Sequence, residues 1–501
     1  MLSLGADLGM GQPMEHGLRQ SLVALRLAER LGLDDETRGV IYYASLIAWV
    51  GCHVDAYEQA KWFGDDLALK ADARRADMAT VPAKALVLSH LGAGRSLLER
   101  ARLGIKFVGE GLRPSEAIQN HCVATNQLAA ALGLPPEVRD CVAQTFERWD
   151  GKGMPSGLKS EQILVPARVV NLADVVAAFH RAGGVDAAVA VARERSGTQF
   201  DPVFVEAFCA EAPLLLDGLD EVATWPAVID AEPALEVVLS DERLDSALEA
   251  VADFTDLKSP WTIGHSRGVA ELAFAAAKIY RLSEDDARLV RRAGLVHDLG
   301  RLGVSNAIWD KRGPLTAAEL ERVRLHPYLT ERMLASSAAL APLGAIAVQH
   351  HERLDGSGYP RGLSGDALTP AGRILAAADA YHAMTEPRPH RNARTGEEAG
   401  AELRSGVRQA LFDSDAVEAV LGATGHPVRR RRDWPGGLTS REIEVLRLLV
   451  RGLSNKEIAE QLVISRKTAG SHVEHIYAKL GVSNRAQASL FAIKHGLMAG
   501  E

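Results

Sequence analysis

The feature that most limits how this chain can fold is that it contains one pattern twice. The run ERWDGKGMPSGL (Glu147–Leu158) returns 205 residues later as ERLDGSGYPRGL (Glu352–Leu363). His121 and His326 keep that separation, as do Asp174 and Asp379. Upstream the separation is 249: His16 pairs with His265, and ASLIAWVG (Ala44–Gly51) with AGLVHDLG (Ala293–Gly300). The difference of 44 residues places an insertion in the first copy, between about Cys52 and Leu97. An ordered series of this kind means one structural unit used twice. With 501 residues and roughly 150 per domain, the chain has room for about three domains. We expect the copies at 1–225 and 240–427, and a small module at 437–501. Breaker-rich runs mark the joins: TWPAVIDAEP (Thr224–Pro233) and VRRRRDWPGG (Val428–Gly437), the second read as a solvated hinge or a phosphate-contacting arm.

The expected class is all-α. LSEDDARLVRRAGLVHDLG sets apolar residues at helical spacing behind a Ser-x-x-Asp cap, and no alternating strand pattern recurs. In the second copy the sustained interruption is the Gly/Pro-rich loop Asp355–Gly365. A content of 47% hydrophobic and 24% charged residues excludes a disordered or collagenous chain, and the net charge of −8 excludes a protein that coats nucleic acid throughout. The four cysteines are scattered and form no CxxC pair, which argues against a disulfide framework or zinc knuckle and fits a reducing, cytoplasmic setting. No uninterrupted apolar run approaches ~18 residues and the N-terminus lacks a basic start, so neither a membrane partner nor a signal peptide is expected.

The second copy concentrates His265, His297, Asp298, His326, His350, His351 and Asp379 in helical contexts. One such histidine is ordinarily a hydrogen-bonded core residue. Seven imidazoles and carboxylates together need partners, and divalent metals satisfy many at once. Adjacent residues on a helix diverge by about 100°, so the His-Asp and His-His pairs can each serve two neighbouring metals. Asp298, with two oxygens, is suited to bridge them. Mixed nitrogen and oxygen ligation favours transition metals over Ca or Mg. Two such ions can clamp a phosphoryl group for in-line attack.

The span DLKSPWTIGHSRGV…HDLG…HP…HHERLDGSGYPRGL…ADAYHAMTEPRPHR resembles an HD-GYP domain, a subgroup of the HD phosphohydrolase superfamily, over roughly 250–425. The resemblance implies tandem HD-type helical bundles and hydrolysis of cyclic di-GMP or a related phosphodiester by two divalent transition-metal ions, Fe or Mn. It puts one ion on His265, His297, Asp298 and Asp379 and the other on Asp298, His326, His350 and His351. Asp298 and Arg301 become the catalytic residues, and Asp355, Gly358, Tyr359 and Pro360 the substrate loop. Three positions depart from the pattern: Trp261 replaces a Glu found in trinuclear members, Arg301 replaces a Lys, and His382 replaces an Asp. A catalytically inactive sensor that switches DNA binding is the alternative.

In the first copy Ala48 and Trp49 stand at the His-Asp positions, and Thr145 and Phe146 at the His-His positions. Only His16, His121 and Asp174 of the seven ligands remain, and His53 and Asp55 do not restore the site. We expect no dinuclear centre there but an apolar filling, serving dimerisation, ligand sensing or packing alone.

From Gly437 onward the sequence carries nine Lys+Arg and six Asp+Glu, a +3 module on an acidic chain. Thr439 with Glu442, and Ser454 with Glu457, read as capping boxes, and Ser465 as a third cap, giving four helices. The LTSREIEVL, GLSNKEIA, ISRKT and KLGV runs resemble the LuxR-type helix-turn-helix across its whole length. That implies a recognition helix at Lys467–Leu480 entering the major groove of double-stranded DNA. Base contacts would fall on Gly470, Ser471 and Glu474, and phosphate contacts on Lys456, Arg466, Lys467, Thr468 and Lys479. The expected protein is a homodimeric transcriptional regulator with a phosphodiesterase domain.

Overall fold

The structure, a computed structural model, describes residues 1–111, 114–219, 224–233, 240–426, 434–462, 464–495 and 497. It is all-α: no strand forms among the described residues. The chain divides into two compact units, 1–427 and 428–501.

The repeat is legible in atomic detail in the first unit. His16 opens the helix His16–Arg30 behind Glu15 at φ 76°, and His265 opens His265–Tyr280 behind Gly264 at φ 80°. Asp7 accepts from the Gly17 N–H as Asp256 accepts from that of Ser266. Asp35–Ile47 runs into the 3₁₀ turn Val50–His53, and Glu284–Val296 into Leu299–Gly303. The turn glycines Gly51 and Gly300 donate to Thr125 and Thr330, at 3.1 and 2.9 Å. A Cβ on either would strike the backbone oxygen of His121 or His326, at 2.4 and 2.0 Å, which explains the retained glycine.

The two copies do not have separate cores. One cluster runs from Leu4, Val23 and Phe208 of the first copy through Leu248, Leu295, Leu302 and Met333 of the second. A further core in the second copy gathers Val269, Leu375, Leu403 and Val420. The helix Val165–Glu194 is long and apolar enough to cross a membrane by length and composition. Here it breaks at Gly183 and Gly184, and Val169, Leu172, Val176 and Val191 on it are buried in the first core.

One expectation is corrected. Thr224–Asp230 is a helix rather than a linker: Pro226 falls in its first turn, where no backbone donor is needed. It is tied down by the Tyr42 hydroxyl, which donates to Val228 O at 3.0 Å. The insertion is itself helical (Ala56–Phe63, Asp66–Ala73, Val81–His90 and Leu97–Glu110). Residues 428–433 of the arginine-rich run lie outside the described residues.

The second unit forms Ser440–Val450, Asn455–Leu462, Arg466–Leu480 and Arg485–Lys494. Thr439 and Glu442 close a capping box, Ser454 and Glu457 exchange hydrogen bonds, and Ser465 caps the third helix. Ile458, Ala459, Val473 and Ile476 share its core.

Candidate metal centre

Sequence spacing places the seven candidate ligands on five separate elements, and the fold brings them together. His265 begins one helix, His297 and Asp298 follow Glu284–Val296, and His326 begins His326–Ala335. His350 and His351 follow Ala341–Ala347, and Asp379 lies within Pro370–Thr385. All are buried except His351, which is partly exposed.

The two carboxylate oxygens of Asp298 face different neighbours. Oδ2 lies 3.9 and 3.8 Å from Nε2 of His265 and His297, and Asp379 Oδ1 lies 3.3 and 3.7 Å from the same two nitrogens. Oδ1 lies 3.4 and 3.8 Å from Nε2 of His326 and His350. His351 closes the second group, with Nδ1 4.0 Å from Asp379 Oδ2 and its ring 4.1 Å from that of His350.

The ring orientations leave Nε2 facing inward. Nδ1 of His297, His326 and His350 bonds the carbonyls of Gly294, Val323 and Ala347 at 2.7, 2.6 and 2.6 Å. Such partners fix the tautomer that presents Nε2 to a metal. His297 Nε2 is buried with no hydrogen-bond partner, and Nε2 of His326 and His350 face each other at 3.1 Å. Two imidazole lone pairs converging on one point, beside an orphaned third, fit a divalent cation and little else.

Burial sets the protonation of this group. It pushes His326 and His350 down to about 4 and about 3, keeping them neutral. Burial disfavours the charged form of His265 too, yet its hydrogen bonds to the carboxylates of Asp379 and Glu386 raise it to about 9. Burial opposes ionisation of Asp298, but the Arg301 charge and the surrounding histidines hold it well below the carboxylate range.

Arg301 Nη1 donates to Asp298 Oδ2 at 2.9 Å, and its guanidinium lies 4.0 Å from the Trp309 ring. The loop after the His-His pair is folded around Glu352, whose buried carboxylate accepts from the N–H groups of Arg361 and Leu363 at 2.7 and 2.9 Å. Asp355 accepts from Ser357 N–H at 2.9 Å, and Gly358 fits against the Glu352 backbone, which a Cβ would meet at 2.5 Å. Tyr359, followed by Pro360 through a cis peptide, brings its ring to 4.8 Å from His351.

Sequence reasoning missed Glu386 and Arg388. Glu386 accepts from His265 Nδ1 at 2.8 Å, and Arg388 bridges Glu386 and the Trp261 carbonyl, each at 2.8 Å. The signal was present: His382 and Glu386 follow Asp379 by three and seven residues, one helical face. His382 Nδ1 lies 3.3 Å from Glu386.

The same place in the first copy holds no second cluster of this type among the described residues. It is not the apolar filling expected. Arg74, from the insertion, is buried against Asp174 and stacks 4.4 Å from the Trp49 ring, at the position of the bridging aspartate. Phe146 meets Trp49 at 5.4 Å and His121 at 4.8 Å. Arg181 donates to His16 Nδ1 at 2.9 Å, where the second copy has Glu386 on His265. Guanidinium groups thus occupy this site, Arg74 on Asp174 and Arg181 on His16. His53 is turned away, bonding Phe254 O at 2.7 Å, and Asp55 bonds Asn120.

In the C-terminal unit Arg466, Lys467, Thr468, Ser471 and Glu474 are exposed along the third helix, and Gly470 is half-buried. Lys456 lies 3.9 Å from Glu460. Lys479 is committed elsewhere: it donates to Glu442 at 2.8 Å, tying the third helix to the capping box of the first.

A buried His/Asp cluster assembled from helix starts and an adjacent His-Asp pair is the architecture of an HD domain. The HD domain family profile matches residues 112–203 and 249–416, just over half of the chain, and the chain belongs to that family. The profile for bacterial regulatory proteins of the luxR family matches residues 437–492. The chain is 31% identical over 427 residues to 3'3'-cGAMP-specific phosphodiesterase 3 of Vibrio cholerae, across 84% of this chain and 93% of that one. It is 34% identical over 183 residues to the cyclic di-GMP phosphodiesterase response regulator RpfG of Xanthomonas campestris, covering 36% of this chain and 48% of that one. The crystal structure of the V. cholerae cyclic GMP-AMP-specific phosphodiesterase V-cGAP3 superposes with a TM-score of 0.59 at 27% identity, over 85% of this chain and 96% of that one.

Proposed function

We propose that the second copy is a metal-dependent phosphodiesterase acting on a cyclic dinucleotide, and that the C-terminal module makes the chain a DNA-binding regulator. The observation that carries the first part is the two-sided placement of Asp298, with His265 and His297 on one oxygen and His326 and His350 on the other. His265, His297, Asp298 and Asp379 would hold one divalent ion, and Asp298, His326, His350 and His351 a second, Fe or Mn. Such a pair supplies a nucleophile at neutral pH and charge neutralisation at phosphorus. The chain's own residues do the rest. Glu386 fixes the His265 ring, and backbone carbonyls fix His297, His326 and His350. Arg301, always charged, offers donors to a phosphate oxygen from beside Asp298. Tyr359 offers an aromatic face near His351 for a base.

The likeness to 3'3'-cGAMP-specific phosphodiesterase 3 spans both copies, so 3'3'-cGAMP is the first substrate to try, with cyclic di-GMP second. The domain division 1–225, 240–427 and 437–501 is retained as a functional one: a degenerate copy, a reacting copy and a reader of duplex DNA that works as a homodimer. The exposed Lys467, Ser471 and Glu474 on a capped helix support that reader. The test is turnover by the Mn- or Fe-loaded full chain against a panel of cyclic dinucleotides. Release of linear dinucleotide is expected. Stoichiometric binding with no product would favour the sensor alternative.

A further inference from the structure

The insertion of the first copy packs against the second, and one of its helices does so with a buried charge. Asp66 is the first residue of Asp66–Ala73 and is fully buried. Its Oδ1 accepts from Ser305 Oγ at 2.7 Å and from the Asn306 N–H at 2.9 Å, at the start of the second copy's short helix Asn306–Trp309. Burial alone would raise this carboxyl, but Lys258 and Lys70, 3.8 and 3.5 Å from Oδ2, bring it below the usual range. Trp309 ends the short helix, and Arg301 lies on its ring at 4.0 Å while bonding Asp298. At the other end of Asp66–Ala73, the C-cap residue Arg74 is held by Asp174 in the degenerate site. One eight-residue helix thus connects the degenerate site, through its C-cap, to the short helix that carries Trp309.

We propose that Asp66 is a positioning residue for the reacting copy: through Asn306–Trp309 it sets the platform on which Arg301 lies. The retained His16 and Asp174 of the degenerate copy then have a task, which is to hold Arg74 and with it the far end of the same helix. A charged acceptor on a hydroxyl and a backbone N–H is among the stronger hydrogen-bond arrangements, and a guanidinium over an indole adds an attraction that depends on where the ring lies. The kinetic part of this proposal rests on the phosphodiesterase reading; the structural part does not.

The variants are Asp66→Asn, which keeps an acceptor and removes the charge, and Asp66→Asn with Lys70→Met, which also removes one buried cation so that the cluster's net charge is unchanged. Either suffices if the other fails to fold. In the full chain labelled with 5-fluorotryptophan, the ¹⁹F resonance of Trp309, assigned from Trp309→Phe, is expected to shift while that of Trp434 stays. With 3'3'-cGAMP, kcat/KM is expected to fall about tenfold at unchanged metal content. In an Arg301→Gln background the same change is expected to cost nothing further. A Trp309 resonance that does not move, or an equal kinetic loss in both backgrounds, would overturn the proposal. Absence of turnover in the unsubstituted chain would count against the phosphodiesterase reading and leave Trp309 to decide this one.

Discussion

Asp298 shows how much can depend on one side chain. Its backbone starts the 3₁₀ turn Leu299–Gly303, its two oxygens face two histidine pairs, and Arg301 completes its surroundings. Arg301→Gln removes a charged donor from a buried site, so kcat/KM should fall about ten- to a hundredfold with metal content kept. Unchanged kinetics would remove Arg301 from the reaction. In the first copy, burial holds His16, His121 and His53 down to about 4, about 4 and about 3, against 6.5 when unfolded. The unfolded chain therefore binds more protons below pH 6.5. Stability from these groups is complete above that pH and is lost as pH falls towards 4, by about 1.4 kcal/mol per pH unit for each histidine. Asp7, raised to about 7 by burial, acts in the opposite sense, as do Asp55 and Asp256, which burial also raises, but they are outnumbered by the buried histidines of both copies. The urea midpoint of metal-free protein should drop between pH 6.5 and 5; a flat or rising midpoint would contradict this assignment.

At the scale of the element, the helix Arg466–Leu480 separates two kinds of lysine. Lys467 is exposed and free to meet phosphate, so Lys467→Ala should lower the salt slope of duplex binding by roughly 0.9. Ser471→Ala or Glu474→Ala should change sequence preference with the slope kept. Lys479→Ala should mainly lower the module's melting temperature, because it breaks the bond to Glu442. An equal slope change for both lysines would contradict this division. Element types and caps were legible in the sequence because they rest on local chemistry: Ser283, Thr439 and Ser465 cap where spacing says they should. The seven candidate ligands were legible because the motif names them. Arg74 was not, since its partner Asp174 lies 100 residues away and nothing local marks the contact. Nor was the Lys479–Glu442 pair, or the Thr224–Asp230 helix, whose hold on Tyr42 and Glu15 is tertiary.

At the scale of the molecule, duplication has given two sites with opposite solutions to the same buried carboxylate. In the second copy Asp379 faces histidines that converge for metal; in the first, Asp174 meets a guanidinium carried on an insertion. Because both copies share one core, cutting near residue 225 would expose Phe208 and Leu248 together, and the question belongs to the intact chain. The most direct test is metal content by elemental analysis after loading with Mn or Fe. The full chain should retain about two ions, and His297→Ala with Asp298→Ala should retain none, because the first copy contributes no site. Two ions persisting in the double variant, or none in the unsubstituted chain, would contradict the account.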